Sequence, residues 1–258
     1  MHWVGAVLHA TGTKVAALAA FLVVFAVGGT IVAIALIGYL VRDALPLAFR
    51  HRVADQPLVV QVVEAFVLSD IGQYFAHRAM HTYGWLWRFH KVHHSVDEMD
   101  WLASARLHPV DRALTASSAF LPMFVLGFAN PAVYVSGLFS AALAIGVHAN
   151  VRVTFGPLRH VVATPQYHHW HHTGSDTEGY DKNFAIGLPL IDKVLGTQHV
   201  PKGQWPSSYG IDEPYPESYL GQLWWPFADT IAAARARHAD RVLRLVDSDG
   251  EERAQPAA

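Results

Sequence analysis

Residues 57–81 read PLVVQVVEAFVLSDIGQYFAHRAMH. The apolar run from Pro57 to about Ala76 carries only Glu64 and Asp70 as formal charges, which suits a helix crossing a bilayer. Asp70, Tyr74, His77 and His81 recur at spacings of four, three and four, so on a helix they share one stripe. His77 and His81 then sit where the helix leaves the membrane. Asp70 lies about 10 Å deeper at the helical rise per residue, too far in to share an ion with His81. An ionisable residue at that depth is a functional candidate, expected here to orient Tyr74 or a histidine of another helix. Glu64 points to a different face and has no assigned role.

The rest of the chain extends that stem. Hydrophobic residues make up 52% of the sequence and charged residues only 16%, greasier than an ordinary soluble domain. Val15 to Val41 contains no charge over 27 residues, too long an apolar stretch for a cleaved signal peptide. Ala113 to Val147 is also free of formal charge and exceeds one ordinary span, and Ala129-Asn130-Pro131 divides it in two. The expected fold is therefore all-α: an integral membrane stem of about four transmembrane helices in two hairpins, with a cytosolic helical cap carrying the histidine clusters. Lys14, Arg78, Arg88, Lys91, Arg106, Arg112, Arg152 and Arg159 fall on one side of such a stem, against Arg42, Arg50 and Arg52 on the other. The positive-inside rule places both termini and every histidine cluster in the cytoplasm of a multi-pass protein. Residues 1–246 are expected to form a single membrane-embedded domain. The stretch LGQLWWPF, Leu220 to Phe227, reads as an interfacial aromatic cluster, and residues 247–258 as a disordered tail.

Histidine supplies the chemistry. His90-Lys91-Val92-His93-His94 and His168-His169-Trp170-His171-His172 repeat one pattern, and His77 and His81 add an HxxxH pair. His2, His9, His51, His199 and His238 read as ordinary surface or core residues, but this recurrence at helix-ligand spacing does not fit scattered polar residues. His169 is rotated by about 100° from His168 and falls outside the set. Eight imidazoles remain, and His148 at the end of the fourth span makes a ninth. Nine nitrogen ligands exceed what one four-coordinate zinc can use; two ions with four or five imidazoles each fit the supply. Spacing does not choose the element, because imidazole suits zinc, copper, iron and nickel alike. His108 and Asp111 belong to the same cap and are expected to support ligands rather than to bind metal.

Several classes are excluded. With no cysteine there is no disulfide framework, thiolate-bound haem, cysteine-ligated iron–sulfur cluster or cysteine-type zinc finger. A net charge of -2 without a basic stripe gives no reason to invoke nucleic acid. The sequence has no HExxH of the zinc proteases and no Glu-x-x-His of the carboxylate di-iron bundles.

In order, Asp70 to His81 (DIGQYFAHRAMH), His90 to His94 (HKVHH), Arg106 to Asp111 (RLHPVD), His148-Ala149-Asn150, Thr164 to His172 (TPQYHHWHH), Asp181 to Ala185 (DKNFA) and Leu188 to Thr197 resemble the blocks of the fatty acid hydroxylase/sterol desaturase superfamily. The resemblance runs from about residue 60 to 200. It implies an integral membrane, non-haem di-iron oxygenase, with a helical membrane stem and a cytosolic histidine-lined cap, that uses O₂ and two external electrons on an unactivated lipid C–H bond. The implied ligands are His77, His81, His90, His93, His94, His168, His171 and His172, with His148 matching a further family histidine. Asn150 and Asn183 stand in its blocks as supporting residues, and no catalytic side chain is implied beyond the ligands. Some members carry a histidine where this chain has Ala144, a departure that bears on the ligand count of one iron; Phe184-Ala185 and Ile191 replace a usual aromatic-glycine and Trp, which bears on subfamily, not class.

The implied cofactors are two iron ions, with zinc substituting in purified protein, and O₂ as co-substrate. Zinc cannot supply the electrons that O₂ activation needs. The implied partners are the membrane, a lipid substrate and a separate electron donor of the cytochrome b5, ferredoxin or reductase type, since no His-Pro-Gly-Gly haem motif occurs. Hydroxylation and desaturation both remain open, as do sterol, fatty acyl and related lipids. A reading from another class is a membrane zinc-dependent hydrolase or metal-transport protein, which calls for an acidic general base beside the histidines; none of the clusters contains one.

Overall fold

The structure, a computed structural model, describes residues 38–39, 45–153, 155–175 and 177–230. The expected first span, Val15 to Val41, lies outside the described residues except for Gly38 and Tyr39, as does the expected tail 247–258. Among the described residues from 45 to 200, seven helices follow in order: α1 (Leu47–Ala54), α2 (Leu58–Thr82), α3 (Gly84–His94), α4 (Pro109–Leu126), α5 (Asn130–His148), α6 (Pro165–His171) and α7 (Pro189–Leu195). Short 3₁₀ turns occupy Trp101–Ala105 and Gly156–His160. Among the described residues there is no β-strand, only an isolated bridge between Thr173 and Tyr209.

Local chemistry places the helix ends. Pro46 and Pro57 stand at the N-caps of α1 and α2. His108 caps α4, its Nδ1 accepting the Val110 amide at 3.0 Å, with Pro109 in the first turn. The helix consequently begins four residues before the charge-free stretch and takes Asp111 and Arg112 into its first turn. Gly127, in the left-handed region at φ 87°, closes α4, and Asn130-Pro131 opens α5, the glycine-stop and proline-start chemistry of a tight helical hairpin. Thr164 caps α6, with Pro165 in its first turn.

Two described helices, α2 and α5, are long and apolar enough to cross a membrane. α4 is not among them. The apolar side chains that α2 and α5 leave uncovered are consistent with a lipid surround: Val59 is 70% and Leu138 72% exposed, a poor arrangement in water. α2 lies at the centre and packs against α4, α5 and α3. Ala65, Met123, Phe128 and Val133 form the core where α2, α4 and the start of α5 meet. At that end the buried Gln61 fastens two loops, donating to the Ala54 and Gln56 carbonyls and accepting the Ala129 amide. Glu64 there accepts from Gln56 at 3.3 Å.

The α2–α4 crossing is backbone on backbone. Pro122 inside α4 has no N–H to give the Ser118 carbonyl one turn earlier. Gly72 of α2 packs against that oxygen so closely that a Cβ at Gly72 would lie 2.1 Å from it. Gly72→Val should destabilise the protein by about 1–3 kcal/mol, seen as a lower melting temperature in detergent; an unchanged melt would mean the helices separate here without cost.

The chain divides into two compact units, Met1–Pro214 and Tyr215–Ala258. In the second, residues 219–230 are helical, the Gln222 side chain donates to the Pro216 carbonyl at 2.7 Å, and Trp224 remains exposed.

Candidate metal centre

The nine histidines singled out by spacing are brought together as two groups: His77, His81, His90, His94 and His171 in one, and His93, His148, His168 and His172 in the other. Within each group the nearest ligand-type nitrogens all lie within 4.8 Å of one another. The rings are buried. Helical phase explains the division. Positions i and i+4 lie about 40° apart around a helix and i+3 about 100° from i+4, so each HxxHH block splits. α3 sends His90 and His94 to the first group and His93 to the second; α6, with His172 at its C-cap, sends His168 and His172 to the second and His171 to the first.

Second contacts fix which nitrogen faces inward. Nδ1 of His77 pairs with the Phe184 carbonyl at 2.7 Å, of His171 with the Lys182 carbonyl at 2.7 Å, of His93 with the Arg106 carbonyl at 3.3 Å and of His148 with the Ala144 carbonyl at 2.5 Å. His81 and His90 set Nδ1 against Asp181 and Asp111, both at 2.8 Å. A neutral imidazole that donates from Nδ1 keeps only a lone pair at Nε2. Yet Nε2 of His77 lies 3.0 Å from Nε2 of His90, and Nε2 of His148 lies 3.2 Å from Nε2 of His93. Lone pairs at that distance repel unless a cation lies between them. Two nitrogens each about 2.1 Å from one ion and at right angles would be about 3.0 Å apart. The buried Nε2 of His81 has no hydrogen-bond partner among the described residues, which also fits a ligand position.

Burial favours the neutral form of His93 and His94 on α3 and of His168, His171 and His172 on and beside α6. His171 is pushed down to about 3, and His93, His94, His168 and His172 lie well below the ordinary imidazole value, first through desolvation and then through neighbouring imidazoles. Neutral imidazole is the metal-binding form. Nine buried, inward-facing imidazole donors therefore fit two transition-metal ions of the kind imidazole suits, iron included.

Residues 181–188 brace the first group. Asp181 and Asn183 both adopt left-handed backbone, at φ 54° and 59°, a conformation Asp and Asn tolerate better than most residues. The segment meets His81 with the Asp181 carboxylate, His171 with the Lys182 carbonyl and His77 with the Phe184 carbonyl. Behind it, five consecutive amides run into two buried carboxylates. Phe184 and Ala185 donate to Asp192, both at 2.8 Å. Ile186, Gly187 and Leu188 donate to Asp70 at 3.0, 2.9 and 2.6 Å. Asp192 also accepts from Thr197 Oγ1 at 2.7 Å and from the Tyr167 hydroxyl. Burial and that carboxylate push the Tyr167 phenol up, so it stays a donor.

The other expected supporting residues take varied places. Among the described residues Asp70 makes no hydrogen bond to Tyr74 or to a histidine, contrary to expectation, because its carboxylate accepts the 186–188 amides. Tyr74 instead pairs with Thr197 Oγ1 at 2.9 Å and accepts from Arg78. Asp111 sits on His90, while His108 caps α4 and packs on the Phe89 ring. Asn183 is buried and donates to the Tyr167 and His199 carbonyls, holding α6. Asn150 is exposed and is not part of this packing. His169 points elsewhere, to the Tyr209 hydroxyl and the Ala149 carbonyl. Asp181 and Asp192 were given no role by sequence reasoning; the available signal was two carboxylates flanking Asn183 within the blocks DKNFA and LPLIDKVLGT. A cavity of about 80 Å³ opens on His77 and His90 of one group and His93 and His148 of the other.

Apolar helices carrying a buried, two-centre histidine site define a class of metalloprotein embedded in lipid. The fatty acid hydroxylase family model matches residues 62–197, and the chain belongs to that family, within the fatty acid hydroxylase/sterol desaturase superfamily. It is 34% identical to the ornithine lipid hydroxylase OlsE of Rhizobium tropici over 69% of this chain and 54% of that protein. It is 33% identical to the alkylglycerol monooxygenase of Homo sapiens over 52% of this chain and 29% of that protein. A putative methylsterol monooxygenase of Dictyostelium discoideum is 26% identical over 60% of this chain and 57% of its own length. The chain thus spans about half of the first relative and under a third of the second. No solved structure matches it.

Proposed function

We infer that the chain is a membrane-embedded oxidoreductase that holds two iron ions and uses O₂ to oxidise a C–H bond of a lipid. The observation that supports this best is the pairing of five and four buried imidazole donors around a cavity that reaches both groups. His77, His81, His90, His94 and His171 would hold one iron, and His93, His148, His168 and His172 the other. Iron bound there would supply redox chemistry by which a C–H bond, O₂, two electrons and two protons give C–OH and water. The chain's own groups bind, orient and enclose: Asp111, Asp181 and the carbonyls of residues 106, 144, 182 and 184 fix ring tautomers, and burial excludes water from the ligands.

The relatives named above are a lipid hydroxylase and two monooxygenases, which favours hydroxylation over desaturation and a redox metal over hydrolytic zinc. Asp111 does stand beside the histidines, but one of its oxygens is committed to His90. Electrons come from a donor of the cytochrome b5, ferredoxin or reductase type. The Lys/Arg asymmetry supports a four-span stem of two hairpins with the histidine cap and both termini in the cytoplasm.

Membranes containing the protein, given O₂ and a reductase system drawing on NAD(P)H, should yield a lipid product sixteen mass units heavier or, for desaturation, two lighter, as the reaction class requires. Oxygen in the heavier product should come from ¹⁸O₂ and not from H₂¹⁸O. Label from water alone, or turnover without O₂, would move the chain to the hydrolase reading.

A further inference from the structure

A second cavity of about 70 Å³ runs along the bundle between α2, α4 and α5, bordered by Ser69, Ala116, Ala119, Phe120, Gly137 and Ser140. It shares Gln73, Arg112, Thr115 and Ala144 with the cavity at the histidines, so the two form one path. Along α5 that path descends from His148 to Gly137, about 16 Å at the helical rise per residue. There the Phe120 ring packs against Gly137, where a Cβ would meet it at 3.4 Å. The deep part is lined by small side chains and one phenyl ring, which suits a hydrocarbon chain.

The junction is different. Thr115 spends its hydroxyl on the Asp111 carbonyl at 3.0 Å, and the Gln73 amide donates to Ser69. Arg112 lies one and two turns before Thr115, Ala116 and Ala119 on the same stripe of α4; it is exposed, and its guanidinium has no ion-pair or hydrogen-bond partner among the described residues. The neighbouring Asp111 sets one oxygen on His90. A cation in the first turn of a helix opposes the macrodipole, so helix stability does not account for it. An exposed guanidinium without a protein partner, bordering both cavities, is available to an anion.

We propose that Arg112 binds an anionic group of the substrate, a phosphate or carboxylate, while the lipid's hydrocarbon lies in the α2–α4–α5 path. The carbon presented to the histidines then lies within a few bonds of the charged group, because Arg112 and the histidines border the same small cavity. This rests on the lipid-oxidising reading for its reaction, but not for its binding.

The test titrates full-length protein in an uncharged detergent with dodecyl phosphate, dodecanoate, dodecanol and inorganic phosphate, comparing the native chain with Arg112→Gln and Arg112→Lys. The native chain should prefer the charged amphiphiles to dodecanol, Arg112→Gln should lose about 10- to 100-fold of that preference, and Arg112→Lys should recover part of it. Metal content and melting temperature, unchanged in Arg112→Gln, show that the variant is folded. Equal affinity for charged and neutral amphiphiles, or a preference undiminished in Arg112→Gln, would overturn the proposal and leave Arg112 a snorkelling residue among bulk headgroups. Inorganic phosphate binding as tightly as dodecyl phosphate would also overturn it, since the hydrocarbon would then add nothing. If the charge preference stands while no O₂-dependent product forms, the oxidation reading fails and the binding site remains.

Discussion

His171→Ala should release about one metal equivalent per chain and leave the other in place, and His168→Ala should do the reverse. These residues lie one turn apart on α6, yet His171 belongs to the five-histidine group and His168 to the four-histidine group. Each replacement removes a buried neutral donor from one centre and leaves the other set complete, so both should abolish turnover through different metals. His169→Ala is the internal control. Its ring bonds to the Tyr209 hydroxyl and the Ala149 carbonyl, so its loss should cost about 1 kcal/mol of stability and leave both metals. Elemental analysis of the three purified variants is the check. Loss of both metals from either single variant would mean that the groups do not act as separate centres.

Asp192→Ala should have a comparably large effect without touching a ligand. It removes the acceptor of the Phe184 and Ala185 amides, the Thr197 hydroxyl and the Tyr167 hydroxyl at once. Each buried donor left without a partner costs about 1–3 kcal/mol, so the fold should lose at least about 3 kcal/mol. The Phe184 carbonyl orients His77, and loss of such an outer contact commonly weakens metal binding about 10- to 100-fold. Metal held by the five-histidine group should therefore leave first under a chelator. Asp192→Asn, which keeps the shape and one acceptor, should fall between. A normal melt together with normal metal retention would show that the brace is not needed.

Much of the site is legible in local spacing. His77 with His81 and the two HxxHH blocks declare themselves through helical periodicity, and Thr164-Pro165 and Asn130-Pro131 mark helix starts. What spacing does not reveal is how one block serves two centres, since that depends on how α3 and α6 face each other. Asp70 shows the other limit. Its stripe on α2 suggests a partner among Tyr74 and the histidines, but its partners are amides more than a hundred positions later in the chain, and main-chain donors carry no sequence signature. Asp192 likewise takes two of its donors from the main chain, at Phe184 and Ala185. The start of α4 moved because His108 acts as a cap, drawing charged Asp111 and Arg112 into a helix expected from its uncharged part alone.

The metal content of the native chain decides whether both histidine groups are metal centres. Protein purified from iron-replete cells, analysed for iron and zinc per chain, should carry about two iron equivalents, one for each group of buried imidazoles. A single equivalent under those conditions, with one histidine group left without metal, would contradict it.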